Sequence, residues 1–191
     1  LEERLRAKHG GKLRILARVV NLVKRQTIYD EAKVALDFCN QAVDLVVNNA
    51  GIVKGGYVCD IADEMDQLTF EVNTLSHVWM TKAFLPAMER RGKGHFLNVS
   101  SMASFVAAAG MVSYAASKYG ARGWSEGLAH ELRNRGSPVK VTCLCPSQFD
   151  SKLFAGFFVM GNLPMTAEYV AQQGVLGVRA ERELVCVPKY L

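Results

Sequence analysis

The stretch Val43-Asp-Leu-Val-Val-Asn-Asn-Ala-Gly51, "VDLVVNNAG", decides how the chain is read. Four apolar residues lie within the first five positions, and two asparagines, an alanine and a glycine follow. A short apolar run closed by polar residues and glycine reads as a buried strand and its exit. Three more runs have the same character: "GHFLNVSS" (94–101), "VKVTCLC" (139–145) and "ELVCV" (183–187). Between them lie helical patterns of about fifteen residues or more, over 63–91, 113–135 and 167–180, with Pro86 inside the first. Upstream, residues 1–9 read as a helix ended by Gly10-Gly11, and "LRILARVV" (13–20) as a strand. A further helix starts at Thr27, with Asp30 as a weak capping box and Tyr29, Ala32, Ala35 and Leu36 as its apolar stripe. Strands alternating with helices predict right-handed βαβ units, hence an α/β, Rossmann-like, doubly wound parallel sheet with helices on both faces. In such sheets ligands bind beyond the carboxyl ends of the strands. Those ends are Asn48-Asn49-Ala50-Gly51, Ser100-Ser101 and Pro146-Ser147.

Composition bounds the class. The chain has 191 residues, half of them hydrophobic and 21% charged, which suits one domain with a real core. No apolar run approaches the ~18–20 residues of a membrane span, and no signal peptide opens the chain. The net charge of +5 is uneven: residues 1–25 carry eight Lys or Arg against Glu2 and Glu3. This basic start lacks interleaved aromatics, so it reads as a solvated surface, with no nucleic-acid partner expected. The five cysteines have no metal-ligand spacing, so no metal is expected and the thiols read as reduced. His77, His95 and His130 read as structural.

Tyr114 and Lys118 in "YAASKYG" stand four residues apart, on one face of a helix. An ammonium beside a phenol favours the phenolate and brings proton transfer toward neutral pH. Spacing alone does not decide, because Tyr29 and Lys33 repeat it. Tyr114 is set apart by Ser101, thirteen residues upstream at a strand exit, whereas Tyr29 has Leu16 at that offset. Asn73 lies in the helical region before that strand. Taken singly, Ser101 reads as a loop cap and Asn73 as an exposed helix residue.

The order NNAG, Asn73, Ser101, Tyr114-x-x-x-Lys118 resembles the short-chain dehydrogenase/reductase family from about residue 13 to the end. The segments 79–88, 145–157 and 184–191 are similar to its retinol dehydrogenase and 17-beta-hydroxysteroid dehydrogenase branch. The resemblance implies an NAD(P)-dependent oxidoreductase that interconverts a lipophilic alcohol and its carbonyl. It implies Tyr114 as acid/base and Lys118 as its modulator and ribose ligand. Ser101 would bind the substrate oxygen, and Asn73 would anchor a water leading to Lys118. Asn21, Asn48, Ala50, Gly51, Pro146 and Ser151 would face the cofactor, NAD or NADP. Phe149 and Phe154, in the apolar segment 149–163, would face the substrate or form a lid on its own core. It further implies, for a complete protein, an endoplasmic reticulum or lipid-droplet surface on the cytosolic side, and leaves a homodimer open.

The sequence departs from the family in one large feature and one small one. The glycine-rich turn T-G-x-x-x-G-x-G that brings backbone to a pyrophosphate is not found. The 191 residues therefore read as a single partial domain, incomplete at the amino-terminal side and without a membrane anchor. In the family's strand order, residues 13–20 would sit apart from 43–47, or dock directly beside them to close the gap. Ser147 stands where much of the family has glycine. A non-catalytic truncated isoform or interaction protein, unable to bind the cofactor, is the alternative reading.

Overall fold

The computed structural model describes residues 2–8, 13–151, 153 and 165–188. Helix α1 (Glu2–Lys8) is followed by α2 (Arg25–Phe38) and strand β1 (Leu45–Asn48). Then come α3 (Asp63–Phe70), a π-helical turn (Glu71–Leu75) and α4 (Ser76–Arg91), which form one continuous helical stretch. Strand β2 (His95–Val99), helix α5 (Val112–Asn134), β3 (Lys140–Pro146), α6 (Ala167–Arg179) and β4 (Leu184–Val187) complete the order. The sheet runs β1-β2-β3-β4, every pair parallel. The four expected strands from residue 43 onward are therefore present, in chain order.

Alternation along the strands builds the two layers, because successive side chains leave a strand on opposite faces. Val46, Phe96 and Val141 pack with Ala32 and Leu36 of α2, Phe84 and Met88 of α4, and Leu128 and Leu132 of α5. On the opposite face Leu97, Leu144, Val185 and Val187 pack with Val170 of α6. Glycine brings α6 close: a Cβ at Gly177 would stand 2.4 Å from Val185 Cγ2. Helix α6 covers β3 and β4, whereas Leu45 and Val47 of β1 stay 40% and 48% exposed.

Two readings are corrected at the amino-terminal side. Residues 13–20 form no strand and pair with neither edge of the sheet. A strand needs a neighbour's N–H and C=O groups; this segment instead lies along α2. Arg14 Nη2 donates to Phe38 O at 3.1 Å, and Arg18 pairs with Glu31 at 2.6 Å. Val19 is fully exposed. Among the described residues β1 is consequently an edge strand. The capping box at Thr27 is also absent. Helix α2 begins at Arg25, and Thr27 Oγ1 donates to the carbonyls of Asn21 and Lys24 at 2.6 and 2.8 Å. Asp30 accepts from Gln26 at 2.8 Å. Its buried stripe is Ile28, Ala32 and Leu36, so Ile28 takes the place expected for Tyr29.

Candidate active site

A cleft of about 1210 Å³ opens at the carboxyl edge of the sheet. Its walls include Ala50 and Gly51 after β1, Ser100 and Ser101 after β2, Pro146 at the end of β3, and Ser147 and Phe149 beyond it. Tyr114 and Lys118 enter from α5. Apolar side chains dominate the rest, among them Met102, Val106, Met111 and Leu153.

Tyr114 and Lys118 are 2% and 3% exposed, so the pair is buried rather than a surface turn. The Lys118 ammonium lies 5.9 Å from the Tyr114 ring centre and donates to Val99 O at 3.0 Å. Burial pulls Lys118 down to about 8, the Cys143 and Cys145 thiols acting weakly the other way. At neutral pH it remains largely protonated. Burial also raises the Tyr114 phenol, opposed by its hydrogen bond with Ser101. In this geometry desolvation therefore outweighs the hydrogen bond, and the phenol sits above its ordinary value.

Each strand exit is tied down by side chains. Asn73, fully buried on the π turn, clamps the segment after β1 in both directions. Ile52 N donates to Asn73 Oδ1 at 2.8 Å, and Asn73 Nδ2 donates to Ile52 O at 2.9 Å and to Ser117 Oγ at 3.0 Å. π turns often mark functional sites, since the extra residue redirects side chains. A Cβ at Gly51 would stand 3.3 Å from Asn73 Oδ1 and 3.4 Å from Lys118 Nζ, so only glycine fits there without displacement. After β2, Ser101 Oγ accepts from Ala103 N at 3.1 Å, and Ser100 Oγ donates to Lys118 O at 2.8 Å. Helix α5 pins this turn again, with Arg122 Nε donating to Ser104 O at 3.1 Å and the Tyr119 hydroxyl to Phe105 O.

The predicted site residues thus divide. Ser101, Tyr114, Lys118, Ala50, Gly51, Pro146, Phe149 and Ser151 line one cleft. Asn73 stands outside its wall and holds it in shape. Asn48 does not line it: its amide donates to Asn98 Oδ1 at 2.7 Å, a buried tie between β1 and β2. Asn21 does not line it either, and its Oδ1 accepts from Val23 N at 3.0 Å. Phe154 lies outside the described residues. The reading missed Ser104, Ser117, Tyr119 and Arg122. Arg122 continues the 114, 118 ladder at the next i+4 position, so helical spacing could have found it. No local pattern marks the others.

The residues fit the nicotinamide half of a dinucleotide. The Ser151 hydroxyl is buried in the cleft wall with no hydrogen-bond partner among the described residues, a group that a bound amide would satisfy. Gly51 keeps the approach to Lys118 narrow but open. The β1 end of the cleft offers Leu45, Val47, Leu97 and Val99, which have no affinity for phosphate.

A doubly wound sheet with a serine, a tyrosine and a lysine at its carboxyl edge defines a dehydrogenase-type nucleotide-binding fold. The chain belongs to the short chain dehydrogenase family, whose sequence pattern matches residues 2–158. It is 32% identical over 177 residues to retinol dehydrogenase 10-A of Danio rerio, covering 90% of this chain and 52% of that protein. Identity to retinol dehydrogenase 10 of Homo sapiens is 30% over 185 residues, covering 94% of this chain and 54% of that protein. The chain spans about half the length of these curated relatives. Among solved structures, a short chain dehydrogenase/reductase from Burkholderia phymatum in complex with NAD superposes with a TM-score of 0.87. That match has 19% identity and covers 97% of this chain and 75% of that one. A short-chain dehydrogenase from Sphingobium yanoikuyae in complex with NADPH gives a TM-score of 0.85 at 21% identity, covering 99% and 73%. Among the described residues no helix is long and apolar enough to cross a membrane.

Proposed function

We propose that this chain carries the catalytic side of an NAD(P)-dependent dehydrogenase/reductase for a lipophilic alcohol or its carbonyl, a retinoid, steroid or related lipid. The observation that carries the reading is the convergence of Ser101, Tyr114 and Lys118 on one largely apolar cleft. A nicotinamide cofactor, when bound, supplies or accepts the hydride. The protein's share is the proton. The Tyr114 hydroxyl gives a proton to a carbonyl oxygen or takes one from an alcohol. Ser101, already hydrogen-bonded to Tyr114, holds that oxygen and steadies negative charge on it. The Lys118 ammonium stabilises the phenolate form when Tyr114 has lost its proton, and offers donors to a ribose. Asn73 keeps the 50–52 segment against Lys118. Met102, Val106, Met111 and Phe149 supply the apolar wall that a lipophilic substrate needs. For a complete protein the same reading includes an endoplasmic reticulum or lipid-droplet surface and a homodimer, both supported by resemblance alone.

The test joins this chain to the amino-terminal segment of a retinol dehydrogenase 10 relative and measures retinol oxidation. Tyr114→Phe removes only the hydroxyl and is expected to lower turnover at least ~100-fold, the low end of general acid/base contributions, with cofactor affinity retained. Near-normal turnover would remove Tyr114 from its role.

The second reading, a chain that keeps the site without binding cofactor, is favoured by two observations: the apolar β1 end of the cleft and the lack of a glycine-rich turn in these 191 residues. On it, the 191-residue chain binds NAD(H) and NADP(H) at least ~1000-fold more weakly than a complete relative, a loss of about 4 kcal/mol. Calorimetric titration decides the point, and micromolar binding of either dinucleotide would refute it.

A further inference from the structure

Two loops meet beside the cleft. The first follows β1 and reads Ile52-Val-Lys-Gly-Gly-Tyr-Val-Cys59, and the second joins β2 to α5. Gly56 N donates to Gly110 O at 3.0 Å, and the φ angles of these two residues, 153° and 76°, favour glycine. The crossing brings Tyr57 and Val58 beside the turn at 106–112. Tyr57, Val58, Val106 and Val112 are 78%, 60%, 74% and 50% exposed. Residues 107–109, all alanine, are exposed as well. No Asp, Glu, Lys, Arg or His occurs from Met102 to Ser117, and Lys54 is the single one from Ile52 to Cys59.

A fixed frame holds these apolar groups out in water. Val106 N donates to Met102 O at 3.3 Å, and Met111 N to Ala108 O at 3.2 Å. Arg122 and Tyr119 of α5 grip the carbonyls of Ser104 and Phe105. An exposed, contiguous apolar patch marks a contact surface. Val106, Ala108 and Met111 also line the cleft, so the lip and the cleft wall are one continuous apolar surface. A stable protein interface needs about 800 Å² and roughly 20–30 residues a side, with large anchors at its centre. The lip offers a handful of mostly small residues, with Tyr57 as its one large exposed side chain. Insertion into lipid has no such threshold, since it scales with the apolar area buried. Tyrosine and lysine are also residues that settle at headgroup level. Asp60, Asp63, Glu64 and Asp66 follow directly in the chain, which disfavours anionic headgroups.

We propose that this lip, Tyr57 and Val58 with residues 106–112, docks the chain reversibly on a neutral phospholipid surface, beside the opening through which a lipid-dissolved substrate would enter. The choice of lipid as partner rests on the reading of the cleft as a site for a lipophilic substrate. Docking is measured without substrate, cofactor or turnover. Its failure therefore leaves that reading standing, and loss of the role given to Tyr114 leaves the docking standing.

The 191-residue chain is floated with phosphatidylcholine vesicles. Partition into the vesicle layer is expected, equal at low and high salt because the contact is apolar. Val58→Asp combined with Ala107→Asp changes two exposed positions and is expected to lower the partition coefficient at least ~10-fold. Val47→Lys, on the open edge of β1, is expected to partition like wild type. Tyr57→Trp places an indole on the lip, and brominated phosphatidylcholine is expected to quench it. Absence of partition overturns the proposal. So does binding that needs phosphatidylserine or disappears at high salt, which would assign docking to the basic residues of 1–25. A lip double variant that binds like wild type, or a Val47→Lys variant that does not bind, also overturns it. Should the double variant fail to fold, the quenching still decides: an indole left unquenched on vesicle-bound protein places the contact elsewhere.

Discussion

Replacing Lys118 by methionine keeps the length of the side chain and removes its charge. In the folded chain burial lowers the ammonium from 10.5 to about 8. At ~1.4 kcal/mol per unit, that depression is a cost of about 3 kcal/mol carried by the native state at neutral pH. Methionine removes the cost but also the bond to Val99 O, worth about 1 kcal/mol. Lys118→Met is therefore expected to stabilise the chain by about 2 kcal/mol at pH 7 while removing the cation the site needs. The sign reverses with pH. Between 8 and 10.5 the unfolded chain binds the proton and the folded chain does not. Stability of the wild type therefore rises through that window. The advantage of the Met variant is full below pH 8 and is lost by pH 10.5. Urea denaturation of both proteins at pH 7 and pH 10.5 measures the difference. A Met variant less stable than wild type at pH 7, or a difference independent of pH, would show that the ammonium is not desolvated as described.

Two glycines offer a matched pair. Gly177→Ala puts a methyl 2.4 Å from Val185 Cγ2 and is expected to cost about 1–3 kcal/mol by overpacking, read as a lower urea midpoint. Gly123→Ala meets nothing within 4 Å on α5 and is expected to add about 1 kcal/mol through helix propensity. The exposed edge of β1 makes a third case. Leu45 and Val47 stand open there, and the chain expressed alone is expected to associate through that edge. Val47→Lys places a charge on it, and light scattering after gel filtration is expected to show less association.

Residue patterning determined the sheet from residue 43 onward. Apolar runs ending in Asn-Asn-Ala-Gly, Ser-Ser and Pro-Ser have few other solutions when long amphipathic helices separate them. The order of Ser101, Tyr114 and Lys118 was legible for the same reason, since helix period and strand exit are local properties. What failed is what depends on a partner. "LRILARVV" has strand composition, but strand pairing needs a neighbour, and here its arginines bind α2 instead. Asn48 sits in a motif that looks ligand-facing, yet the pleat turns its amide inward to Asn98. Tertiary structure alone decided the two-way clamp of Asn73, the pinning of the Ser101 turn by Tyr119 and Arg122, and the isolation of His77. The first two join residues far apart in the chain, and burial, which isolates His77 and lowers the Lys118 ammonium, exists only once the layers have packed.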